Sequence, residues 1–174
     1  INNYHFTMDF VKAIYRASCD SGVDYMEIGK KLCESDEYTR QKYGRWNFCD
    51  EEDLKQVVYS HECETPPVLA VMLDVDRVDI KSLLPADQSV VGMVRTACYV
   101  PDIDKGLDLV KRTKDLGYET TINIMASSAV IETELIEALQ QVNEAIEVDY
   151  LYLVDSYGAF YSEQVTSYLE LYKE

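Results

Sequence analysis

Residues 22–29 read Gly22-Val23-Asp24-Tyr25-Met26-Glu27-Ile28-Gly29. A glycine, a short apolar run holding one carboxylate and a second glycine describe a strand entered from a helix and left through a turn. Upstream, Thr7 can cap a helix from about Met8 to Ser21, with Phe10, Val11, Ile14 and Ala17 on one face, and Gly22 stands where a glycine ends a helix. Downstream the alternation recurs. Residues 30–49 have no clear period and read as a long loop; Asp50 then starts a helix to about residue 60, with acidic residues in its first turn. Pro66-Pro67 precede a strand over 68–73, and a short helix is read over 78–84. Further strands are read over 90–96, 120–125 and 150–154. Helices are read from Pro101 and Asp102 to residue 116, closed by Gly117, over 132–146, and from Ser162 to the end.

Five short strands alternate with helices, and several are continuous apolar runs, the mark of parallel strands covered on both faces. The order points to a parallel α/β fold. An open doubly wound sheet and a (β/α)8 barrel both fit. The chain has 174 residues, whereas a barrel usually takes about 250, so length alone favours the open sheet. No linker, low-complexity stretch or repeat beyond the βα alternation is visible.

The formal net charge of −16 argues against nucleic acid and anionic membrane as partners, since both repel such a surface. No apolar run reaches the 18 residues of a membrane span. The opening residues do not read as a signal peptide, and the first residue is Ile1 rather than Met, so the natural start is expected upstream. Five unclustered cysteines (Cys19, Cys33, Cys49, Cys63 and Cys98) suit reduced thiols in a cytoplasm. With His5 and His61 the only histidines, a His-rich metal site is not expected within this chain.

Active sites of parallel α/β folds lie at the carboxyl ends of the strands. The polar residues there are Glu27, Asp74 and Asp76, Arg95 and Thr96, Asn123 with Ser127 and Ser128, and Asp155-Ser156-Tyr157. Each has a plainer reading. Glu27 lies among apolar residues and needs a partner, which Arg95 can supply; a structural ion pair is as good a reading as a substrate site. Asp155 can equally hold the turn that follows. Asp74 and Asp76 read as loop or capping residues, His5 and His61 as surface residues, and Cys98 as an idle buried thiol. No lysine is read on a strand, Lys30 and Lys31 coming nearest, so no Schiff-base candidate stands out. Glycine-rich dinucleotide loops, Walker loops and Gly-x-Ser-x-Gly elbows are absent.

Four segments carry a resemblance: Asn2-Asn3-Tyr4-His5-Phe6-Thr7, the segment 22–29, Val94-Arg95-Thr96, and Val154-Asp155-Ser156-Tyr157-Gly158. In order and spacing they resemble the superfamily of 4-hydroxy-2-oxovalerate aldolase and hydroxymethylglutaryl-CoA lyase, most of all bacterial proteins with an aldolase catalytic domain. The resemblance spans essentially the whole chain. It implies a TIM (β/α)8 barrel, present here as an incomplete barrel of about strands two to six, with residues 1–174 as one partial aldolase/lyase-like domain. The family's Arg-Asp motif on strand one and His-x-His pair on strand seven are not in this sequence, so no metal ligand is expected within it. The resemblance makes Glu27, Arg95 and Asp155 the catalytic candidates and Asn123, Ser156 and Tyr157 the substrate-binding ones. It implies metal-dependent cleavage of a carbon–carbon bond in a 2-oxo or acyl substrate of the pyruvate type, through an enolate steadied by Mn²⁺ or Mg²⁺. It also allows a homo-oligomer. The alternatives are a non-catalytic barrel scaffold and an acyl-CoA-dependent Claisen-type transferase of the same superfamily.

Overall fold

A computed structural model describes residues 5–78, 80–145 and 148–173. Asn2, Asn3 and Tyr4 of the first resembling segment, Asp79 within the short helix read over 78–84, the helix end at Ile146 and the chain end at Glu174 lie outside the described residues.

Helix α1 (Met8–Ser21) starts and stops where the sequence predicts. The Thr7 hydroxyl accepts from the Phe10 N–H at 3.2 Å, and Gly22 closes the helix at φ 66°. Its buried face differs from the expected one. Val11, Tyr15 and Cys19 point inward, while Phe10 and Ile14 remain 50% and 44% exposed beside the edge of β1 (Tyr25–Lys30). The expected loop over 30–49 holds a four-residue helix, α2 (Arg40–Tyr43), and a 3₁₀ turn, Arg45–Asn47. Non-periodic anchors order it: Trp46, Phe48 and Cys49 are buried, and the Arg40 guanidinium pairs with Asp50 and lies over the Phe48 ring. Such anchoring leaves no period to read.

The chain continues through α3 (Glu51–Val58), β2 (Val68–Asp74), β3 (Val91–Cys98), α4 (Ile103–Asp115), β4 (Glu119–Ile124), α5 (Glu132–Ala145), β5 (Tyr150–Leu153) and α6 (Ser162–Leu171). The short helix expected over 78–84 is reduced to a 3₁₀ turn, Ile80–Ser82.

Among the described residues the five strands are parallel and lie in chain order, β1-β2-β3-β4-β5. A doubly wound sheet reverses its order at a switch point; this one does not, which overturns the length argument and makes the sheet the wall of a β/α barrel. Right-handed crossovers then put every connecting helix on one face. Leu69, Val71 and Leu73 of β2 and Val91 and Val94 of β3 pack under α1, α3 and α4. Cys98, Ile122 and Ile124 pack under α4 and α5. A Cβ on Gly106 would stand 2.7 Å from the Cys98 sulfur, so glycine lets α4 close on β3. The other face is left as the lumen.

Candidate active site

Register decides which side chains share the lumen, because paired residues of parallel strands point the same way. The lowest of three rows contains Glu27, Ala70, Met93 and Glu119. The middle row contains Lys30, Met72, Arg95, Thr121 and Tyr150. The upper row contains Asp74, Ala97, Asn123 and Tyr152. The helix-covered face is apolar except for Thr96 and Thr120, whereas these three rows hold two cations, three carboxylates, an amide and two tyrosines.

Glu27 and Arg95, the pair the sequence suggested, meet: the guanidinium donates to the Glu27 carboxylate across β2, over the small Ala70. The pair is not sealed, the side chains being 34% and 22% exposed. The Arg95 guanidinium also lies 4.9 Å from the Tyr152 ring centroid, a cation–π contact that fixes its plane. Asn123 stands one row higher, 2% exposed, and among the described residues its Oδ1 has no hydrogen-bond partner; the Thr121 hydroxyl below it is equally unpartnered. Buried polar atoms left unpaired are costly; the Thr96 hydroxyl on the helix-covered face and the Tyr172 hydroxyl share this condition, so Asn123 is set apart by its place on the lumen face.

Lys30 corrects the sequence reading that put no lysine on a strand. It is the last residue of β1, and a bulge between Glu27 and Gly29 restores it to the lumen face three positions after Glu27. Period-two alternation from Glu27 would have sent it outward. Gly29 is needed at that bulge, since a Cβ there would meet the Trp46 carbonyl oxygen at 2.0 Å. The Lys30 ammonium donates to Asp74 at 3.1 Å. Asp74, expected as a loop or capping residue, ends β2 with 7% exposure and also faces Arg77 at 3.7 Å. Sequence reasoning missed Lys30, Asp74 and Tyr152 as lumen residues; the apolar run before Asp74 was the one signal that could have placed it inside.

Asp155 and Ser156 build the loop after β5. The Asp155 carboxylate accepts from the N–H groups of Phe160 (2.9 Å) and Ala159 (3.0 Å), and from Ser128 at 3.4 Å. These donors, the Phe160 N–H first, hold its carboxyl below the usual carboxylate range. The Ser156 hydroxyl accepts from the Ala126 N–H at 2.8 Å and ties this loop to the end of β4. Tyr157 projects outward, 66% exposed. At the bottom of the lumen the Tyr25 hydroxyl meets Glu119 at 2.9 Å and the Tyr150 hydroxyl at 3.0 Å.

All five cysteines are unpaired. Cys98 ends β3 on the helix-covered face, and burial pushes its thiol up to about 12. Among the described residues no three His, Cys, Asp or Glu side chains are grouped to hold a metal ion, and no helix is long and apolar enough to cross a membrane.

A singly wound β/α wall with a polar lumen defines the class. The relatives are narrower. The chain is 28% identical, over 99% of its length, to a 4-hydroxy-2-oxovalerate aldolase of Geobacillus thermodenitrificans (strain NG80-2), and covers 48% of that protein. Its fold is similar to the crystal structure of the N-terminal domain of a candidate aldolase from Bacteroides vulgatus, with a TM-score of 0.72 and 24% identity over 99% of this chain and 56% of that one. No family model matches the chain. It thus spans about half the length of these relatives. The resemblance to the aldolase superfamily drawn from the four segments holds in both comparisons, by sequence in the first and by fold in the second.

Proposed function

We propose that residues 1–174 form one unit, the wall of a barrel from about its second strand to its sixth, within a carbon–carbon lyase of the aldolase type. The observation that carries this is the Glu27–Arg95–Tyr152 cluster on the face no described helix covers. Arg95 presents a fixed guanidinium from the middle of the sheet, suited to the carboxylate of a 2-oxo acid. Glu27 and Tyr152 orient it. A cation held there favours the negative charge that develops when a proton leaves the carbon next to the carbonyl. Asp155 and Ser156 shape the rim by tying the ends of β4 and β5 together.

The resemblance implies Mn²⁺ or Mg²⁺, which would supply Lewis-acid chemistry. Among the described residues no side chains are grouped to hold it; by the same resemblance its ligands would come from the Arg-Asp and His-x-His motifs that this sequence does not contain. The substrate is then a small 2-oxo acid in a soluble, cytoplasmic bacterial enzyme, with self-association of the barrel as a further expectation.

The test follows the methyl proton signal of pyruvate in D₂O with the full-length protein and Mn²⁺. Enolisation replaces methyl protons by deuterium, so signal loss needing both protein and metal supports the reading. No exchange removes the pyruvate aldolase. One observation favours the scaffold reading: the Asp155 carboxylate is occupied by its own loop. Asp155→Ala separates the two. Turnover falling further than thermal stability supports the enzyme; stability lost with turnover intact makes Asp155 a turn residue.

A further inference from the structure

We propose that Lys30 and Arg77, converging on Asp74 toward the mouth of the lumen, form an anion subsite, and that the aldehyde partner of the aldol reaction bears an anionic group there. The assignment to an aldehyde rests on the aldolase reading; the subsite rests on geometry.

Three observations carry it. Lys30 Nζ and Arg77 Nη1 converge on one carboxylate oxygen, Asp74 Oδ2, at 3.1 and 3.7 Å. Among the described residues no other acid pairs with either cation, so within this cluster one carboxylate faces two cations in a chain of net charge −16. Such a local surplus is what draws an anion to a protein that otherwise repels it. The second observation is the order of exposure. The Lys30 and Arg77 side chains are 38% and 52% exposed, and Asp74 beneath them only 10%. An arriving anion meets the cations first, while Asp74 and the Tyr38 ring under Arg77, 5.3 Å away, hold them in place. The third is Asn123. Its buried, unpartnered Oδ1 shares a row with Asp74, and only Ala97 stands between them. This stretch of the row lies above Arg95 and ends in a buried acceptor that a donor from a bound molecule would complete.

The reaction supplies that donor. The enolate carbon bonds to the aldehyde carbon, the carbonyl π pair moves to the aldehyde oxygen, and that oxygen takes up a proton, balancing the one lost from the 2-oxo acid. The new hydroxyl can donate to Asn123. Lys30 and Arg95 stand two strands apart, about 10 Å between backbones. A short aldehyde ending in a carboxylate or phosphate spans from the mouth to a 2-oxo acid at Arg95.

The experiment compares butanal, 4-oxobutanoate and glyceraldehyde 3-phosphate as partners of pyruvate with the full-length protein. At least tenfold higher kcat/KM for one anionic aldehyde than for butanal is expected, and which one it is separates carboxylate from phosphate. Lys30→Met is expected to cut that ratio tenfold or more through KM, and Lys30→Arg to keep it. Butanal used equally well, or a ratio unmoved by Lys30→Met, overturns the proposal. Where pyruvate shows no exchange in D₂O, titration with succinate and with inorganic phosphate decides. Binding weakened tenfold by Lys30→Met keeps the anion subsite and overturns its assignment to an aldehyde. Absence of binding, or equal binding to both proteins, overturns the subsite as well.

Discussion

Glu27 and Arg95 lie 68 positions apart in the chain and meet across one intervening strand. Both side chains keep some solvent, so the pair adds modestly to stability, about 0.5–1 kcal/mol. Glu27→Gln should therefore shift urea unfolding by no more than that, while lowering pyruvate exchange in the full-length protein at least tenfold. A large stability loss with exchange intact would assign the pair to structure instead. Asp155 sits at the opposite end of the sheet and has a pH signature. Its folded-state carboxyl lies below its unfolded value, near 3.9 (an approximate reference figure). Its contribution is thus fully present above that value and is lost as pH falls through the lower folded one. The Ala159 and Phe160 amide resonances should titrate with a midpoint below that of an exposed aspartate, and Asp155→Asn should abolish the step. A midpoint at the ordinary value would mean that the two N–H bonds do not hold the carboxylate.

At the scale of elements, β1 depends most on one residue. Its bulge brings Lys30 to the lumen and lays Gly29 against the Trp46 carbonyl. Gly29→Ala would force a methyl group to within 2.0 Å of that backbone oxygen, so strand and loop would have to part. We expect a loss of at least about 2 kcal/mol in chemical denaturation, within the range for overpacked sites, and weaker anion binding at Lys30. A variant as stable as the parent would show that the 45–49 turn yields easily. Helix α1 behaves otherwise. Its cap and its closing glycine are local features, legible in Thr7 and Gly22, yet its buried face was misread. Phe10 and Ile14 lie on the apolar stripe, but they border the open edge of β1 instead of the core.

For the whole molecule, β1 and β5 are each paired on one side only among the described residues, and unpaired strand edges invite association. Phe10 and Ile14 beside β1, and Val165 and Leu169 on α6, leave apolar surface exposed. Residues 1–174 alone should therefore be inactive, and their mass in analytical ultracentrifugation should rise with concentration. A monomer at all concentrations would show that net charge −16 outweighs the open edges. The sequence by itself determined the alternation of elements, the parallel α/β class, the caps of α1, and Glu27 and Arg95 as partners. These follow from apolar period, turn residues and the cost of burying a lone carboxylate, all readable over a few neighbouring positions. Local patterning left a barrel wall and a doubly wound sheet both open; the resemblance to the aldolase superfamily chose the barrel, and the strand order agrees with it. Tertiary structure alone decided the bulge that turns Lys30 inward, the burial of Asp74 and the stacking of Tyr152 on Arg95. Each of these depends on which strands pair and in what register, a relation between distant residues that no local pattern encodes.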